Sequence, residues 1–145
     1  MIDRRRVIGS IGVVALAWPL PARTQPSRRV ARIGIVSAGG PSADMAGPQP
    51  NNRYVRAFLR GMAELGYIYG RDLVTEPRGT DAMPAVADLV GLQVDVIVAT
   101  GAGTTLSLLK EATATIPIVM TAAPDPVGQG FVQNLARPGG NFSAR

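Results

Sequence analysis

Four short apolar runs, spaced by helix-sized stretches, constrain this chain more than any other feature. They are "ARIGIV" (31–36), "DLVTE" (72–76), "VDVIVA" (94–99) and "IPIVM" (116–120). Runs rich in Val and Ile read as buried strands, because branched side chains suit a pleated surface covered on both faces. "NNRYVRAFLRGMAEL" (51–65) separates the first two, a segment from Asp81 to about Gly91 the next two, and "LSLLKEAT" (106–113) the last two. The order β-α-β-α-β-α-β predicts an α/β fold: an open parallel sheet with helices on both faces. Ligands of such sheets sit just beyond the carboxyl ends of the strands. Those ends are Ser37 to Gly39, Thr100 to Thr104, and Thr121 to Asp125.

The connections carry their own signals. Asn51 or Asn52 can cap the first helix, whose apolar face is expected to hold Tyr54, Val55, Phe58, Leu59, Met62 and Leu65. Gly66 ends it. Asp81 opens the second helix, with Pro84 in its first turn. Residues 37–50 form a long loop rich in Gly, Pro and Ser, which reads as functional or mobile, with Asp44 solvated in it. There is no internal repeat and no low-complexity tract.

Composition narrows the chemistry. The chain has neither Cys nor His, and Lys110 is its one lysine. That removes disulfides, thiolate and imidazole metal sites, and the Ser-His and Cys-His couples. Carboxylates, hydroxyls, arginines and backbone groups remain. The reading is a binding protein and not an enzyme, with no metal and no cofactor.

The first residues are "MIDRRRVIGSIGVVALAWPLPARTQP". Arg4, Arg5 and Arg6 make a basic start, and Val7 to Ala17 an apolar stretch too short for a membrane span. Residues 1–24 are read as a signal peptide cleaved between Thr24 and Gln25, giving an exported protein, with a retained N-terminal anchor as the alternative. "DRRRVI" fits a twin-arginine signal, and the general secretory route fits equally. The leader also accounts for much of the formal charge of +5, since it holds four arginines and one aspartate. With no interleaved basic and aromatic stripe, a nucleic-acid partner is rejected despite a sequence pI near 10.7.

Six residues are candidate ligand contacts: Ser37, Thr100, Gly101, Ala102, Thr121 and Asp125. "GAGTTL" (101–106) matches only part of the dinucleotide fingerprint, because Leu106 stands where the third Gly belongs. Two glycines still let a ligand approach the backbone, and the following helix start offers N–H groups to an anion, with hydroxyls of Thr100, Thr104 and Thr105 beside them. A side chain placed at Gly101 would fill that space. The turn can also be a plain strand-to-helix connection. Ser37 can donate to a ligand or close its own turn. Asp125, between two prolines, can pair with an ammonium or cap the turn that begins at Pro126.

The segments "RAFLRGMAELGYIYGRDL" (56–73), "ADLVGLQVDVIVATGAGTT" (87–105), "IPIVMTAAPDPVGQGFV" (116–132) and "LARPGGN" (135–141) together resemble the ABC-transporter substrate-binding proteins of the tryptophan/tyrosine-binding-like family. The resemblance implies one lobe of a two-lobed periplasmic binding protein of the class I fold. It implies a small solute, an amino acid or related carboxylate, delivered to a membrane ABC permease, and contacts at the six residues named above. It also implies a division into a lobe over 25–137 and a hinge crossover over 138–145. In the family the crossover leads into a second lobe, so the reading expects a crossover cut short. Ser143-Ala144 departs from the Thr-Gly usual there. Two other readings stay open: a vestigial fragment without tight affinity, and a small α/β enzyme holding a phosphate-bearing ligand at 101–105.

Overall fold

The computed structural model describes residues 29–101 and 103–144. The expected signal peptide and Ala102 lie outside them. Five strands form one parallel sheet: β1 (Ala31–Ser37), β2 (Leu73–Arg78), β3 (Val96–Thr100), β4 (Ile118–Ala122) and β5 (Phe142–Ala144). Their order is β2-β1-β3-β4-β5, and every pair is parallel. The α/β class is therefore as expected. β5 was not expected as a strand. Three residues of mixed polarity after Gly139-Gly140 carry too weak a period to be seen, and the strand exists because it docks on β4.

Alternation along the strands splits the core into two layers. Ile33 and Ile35 point to one face, where Met45, Val55, Leu59 and Leu73 cover them. Val36, Ile97, Ala99, Ile118 and Met120 point to the other, against Val86, Leu89, Leu106, Leu109, Val132 and Phe142. Each buried Leu or Ile here contributes roughly 1.5–3 kcal/mol relative to exposure. Gly34 belongs to the second face. A Cβ there would stand 3.1 Å from Leu89 Cδ1 and 3.2 Å from Ile97 Cγ1, so glycine lets the covering segment settle close. Pro77 sits in β2, which is an edge strand, where a missing N–H need not break a ladder.

The helices are α1 (Arg53–Glu64), α2 (Asp88–Gly91) and α3 (Gly103–Ala112). Asn52 is the cap of α1, its Oδ1 accepting from the N–H groups of Tyr54 (3.0 Å) and Val55 (3.2 Å). Gly66 follows with φ +88°. Two members of the expected apolar face are corrected: Tyr54 is 61% and Leu65 74% exposed. The buried stripe is centred on Val55 and Leu59, and Tyr54 lies a third of a turn away, under the guanidinium of Arg53 at 4.6 Å.

The second helix is shorter than expected. Residues 83–85 form a 3₁₀ turn, and α2 begins only at Asp88. N–H groups of Ala85, Val86, Leu89 and Val90 each bond three residues back, which is 3₁₀ geometry. Asp81 does not cap it, because its carboxylate is engaged with Ser42. The 37–50 loop is pinned and contains a 3₁₀ turn, Ser42–Met45, with Met45 fully buried between α1 and the sheet. Asn141 fastens the far end: its Nδ2 donates to the carbonyls of Thr113 (3.2 Å) and Ile116 (2.9 Å), and its carbonyl accepts from Ile118 N–H at 2.7 Å.

Candidate functional site

The strand order reverses at β1, which has β2 on one side and β3 on the other. In an open parallel sheet this reversal leaves a crevice outside the carboxyl ends, because successive connections leave in opposite directions. Ser37 and Thr100 are direct register partners across that point. Thr121 is on β4, next to β3, where the register shifts between Ala99 and Thr100 so that Thr100 pairs with Ala122. The structure thus brings Ser37, Thr100, Gly101 and Thr121 to one edge.

Each has a distinct state. Ser37 is 8% exposed, and its Oγ accepts from the N–H of Gly39 at 3.1 Å, closing its own turn. Thr100 Oγ1 and Thr121 Oγ1 are 2.8 Å apart, and Thr121 Oγ1 also lies 3.3 Å from the carbonyl of Ala99 as a donor. One hydroxyl carries one proton. With the Thr121 proton on Ala99, the Thr100 proton closes the pair, and Thr100 Oγ1 keeps acceptor capacity. Gly101 has φ +147°, a region that favours glycine.

α3 begins at Gly103, earlier than expected, so Thr104 and Thr105 stand in its first turn. Thr104 is exposed and Thr105 buried, which leaves only the former as an available hydroxyl. Asp125 is held in the left-handed region at φ +47°, and its Oδ1 accepts from Gly128 N–H at 2.9 Å. That is the turn-capping role. Gln129 was missed by sequence reasoning. Its Nε2 donates to Pro124 carbonyl at 2.7 Å, and its Oε1 comes close enough to Gly103 that a Cβ there would be 2.8 Å away. It joins the 124–129 loop to the start of α3. Nothing in its sequence context marks it.

Two charged groups shift, Asp81 after the carboxyl end of β2 and Arg71 before its amino end. Asp81 is held below the usual carboxylate range, chiefly by the Ser42 backbone N–H and then by the Ser42 hydroxyl. Arg71 is raised by its hydrogen bond and charge contact with Asp72, at 2.7 Å. The larger cavities do not coincide with the strand ends. One, about 550 Å³, lies between α1 and the loop at Tyr67–Tyr69. Another, about 620 Å³, lies between the last turn of α3 and residues 127–142. The carboxyl edge is instead an open surface, with Ala38, Gly39, Thr121 and Ala122 exposed. Among the described residues no group of three or more acids could hold a metal ion.

An open parallel sheet with hydroxyls and a glycine turn at its reversal point has the architecture of α/β bodies whose ligands sit at the strand ends. Residues 52–143, more than half the chain, match the family described as ABC transporter substrate binding protein, and the chain belongs to that family. It is similar to an ABC domain in complex with L-Trp from Streptococcus pneumonia, with 26% identity and TM-score 0.61 over 79% of this chain. It is similar to a substrate binding protein with adhesive properties from Clostridium difficile, in a ligand-free, open structure, with 26% identity and TM-score 0.62 over 79% of this chain. A conserved domain protein from Vibrio cholerae gives 31% identity and TM-score 0.61 over 80%. The chain spans 38% of the length of each of these three solved chains. A search of curated proteins gave no match.

Proposed function

We propose that this chain supplies one ligand-binding lobe of an exported solute-binding protein serving an ABC importer, and that the solute is an amino acid or a related carboxylate. The observation that carries the reading is the meeting of Ser37, Thr100, Gly101 and Thr121 at the reversal point of the sheet. An acceptor at Thr100 suits an ammonium group. The glycine turn before α3 suits a carboxylate, because a helix start presents unpaired N–H groups. The L-Trp complex of a family relative agrees in solute class. An open surface suits one wall of a site that a second wall completes. Binding without chemistry agrees with the lack of Cys and His.

The test is a titration of the ¹⁵N-labelled chain, followed by amide shifts. The ligands are free L-amino acids with L-tryptophan first, simple carboxylates, and nucleotides. The expected result is a saturable response to an amino acid at residues 37–39, 100–103 and 121. A response confined to nucleotides at 101–105 would favour the enzyme reading, and no response at the strand ends would defeat the solute reading. For export, residues 1–30 fused to a reporter are expected to carry it across the inner membrane. Arg4→Lys with Arg5→Lys separates the two routes, since unaffected transport excludes the twin-arginine one.

A further inference from the structure

The loops that follow β1 and β2 are fastened together by residues outside the ligand-contact set. Asp81 Oδ1 accepts from the Ser42 N–H at 2.7 Å and from the Ser42 hydroxyl at 2.8 Å. The same hydroxyl oxygen accepts from Gly79 N–H at 2.9 Å, and Thr80 N–H donates to the Gly40 carbonyl at 2.9 Å. Gly79 is buried, and a Cβ on it would come within 2.3 Å of the Gly40 oxygen, 2.5 Å of the Ser42 nitrogen and 2.6 Å of the Pro41 carbonyl carbon. The two backbones interlock at a distance that only glycine permits.

The fastening bears on the site because of what lies on either side of it. The loop leaves β1 at Ser37, whose Oγ takes the Gly39 N–H. It reaches α1 at Asn52, whose N–H donates to the Asp44 carbonyl at 2.8 Å. Between these anchors Gly39 and Gly40 have the freedom of glycine. Ser42 is the point that removes it, its hydroxyl donating to Asp81 and accepting from Gly79. A carboxylate serves here better than a neutral group. It takes two donors on one oxygen, and charge-assisted bonds are about twice as strong as neutral ones.

We propose that Ser42 and Asp81 form a latch that fixes the β1–α1 loop beside the carboxyl edge, and that Asp81 is a positioning residue for ligand binding although it lies outside the strand ends. The proposal rests on the solute-binding reading for its effect on affinity, but not for the latch itself.

The experiment uses the ¹⁵N-labelled full chain and its Asp81→Ala, Asp81→Asn and Ser42→Ala variants, with two readouts. The first is amide hydrogen exchange. Asp81→Ala and Ser42→Ala are expected to speed exchange at Ser42 or Gly79 about tenfold or more, while Ile97 and Val98 in the sheet stay as in the parent. The second is titration with L-tryptophan, whose dissociation constant is expected to rise about fivefold or more in Asp81→Ala. Asp81→Asn keeps a carbonyl acceptor and should recover part of both effects. Unchanged loop exchange in Asp81→Ala overturns the latch. A loosened loop with an unchanged dissociation constant overturns the positioning role, as does a weaker affinity that comes with equal loss of protection in the sheet. If the parent chain gives no response to L-tryptophan, the solute reading is what has failed. The exchange result then decides the latch alone: faster exchange supports it, unchanged exchange rejects it.

Discussion

Thr100 and Thr121, on neighbouring strands, share a hydrogen bond of 2.8 Å between their hydroxyl oxygens, and Thr121 is anchored behind it on the Ala99 carbonyl at 3.3 Å. The pair is a relay that leaves acceptor capacity on Thr100. Thr100→Val removes that acceptor, and Thr121→Val removes only its support. A hydrogen bond to a charged group is worth about 1.5–3 kcal/mol. We therefore expect Thr100→Val to weaken L-tryptophan binding roughly tenfold or more on that scale, and Thr121→Val to weaken it less. Titration by amide shifts checks both, and equal affinities across the three proteins would refute the relay.

Gly101 was expected to matter far more for ligand space than for stability. Its φ of +147° adds a second cost, and a Cβ would stand 3.2 Å from Thr105 Oγ1. Holding a side chain in so sparse a region costs about 1–3 kcal/mol. Gly101→Val should therefore lower stability by that amount as well as weaken binding. Urea unfolding measures the first effect, and a variant as stable as the parent would show that the turn relaxes.

The acid limb of stability should carry a mark of Asp81. Its pKa is lowered in the folded state by Ser42, against an ordinary carboxylate value near 3.9 when unfolded. The latch contribution is then fully present above about pH 4 and is lost as pH falls through the lower, folded value. Asp81→Asn should flatten the fall in stability below about pH 4 and leave the slope from pH 5 to 8 unchanged. Urea midpoints measured across the acid range for both proteins decide this, and parallel curves would rule it out.

By itself the chain should bind weakly. It spans 38% of each of the three solved relatives compared. If the remainder of such a protein supplies even ~4 kcal/mol, a micromolar interaction weakens about a thousandfold, to the millimolar range. Calorimetry on the chain tests this, and a micromolar isotherm from a monomer would show that this surface suffices.

The sheet was legible because Val and Ile runs are long and their spacing is regular. β1, β3 and β4 fall within two residues of where the pattern puts them. Ser37, Thr100, Gly101 and Thr121 followed, since strand ends fix the edge. What stayed hidden was set by partners distant in sequence. Asp81 looks like the start of a helix until Ser42, 39 residues away, claims its carboxylate. Met45 sits in a run of Gly, Pro and Ser that reads as a functional or mobile loop, yet it is buried with Val55 and Leu59. Phe142 is buried against Phe131, with ring centroids 5.8 Å apart, and no local period announces that contact.

The strand order β2-β1-β3-β4-β5 also dictates how the body can assemble as it emerges. β2 pairs with β1 across the longest of the connections between consecutive strands. β3 then takes the other side of β1, β4 the free side of β3, and β5 the free side of β4. No strand has to force itself between two that are already joined. Each arrival meets one exposed ladder of N–H and C=O groups and needs one loop closure, whose entropic cost rises only slowly with length. A chain threaded across a barrier from its amino end could build this sheet by accretion, with no paired strand ever required to come apart.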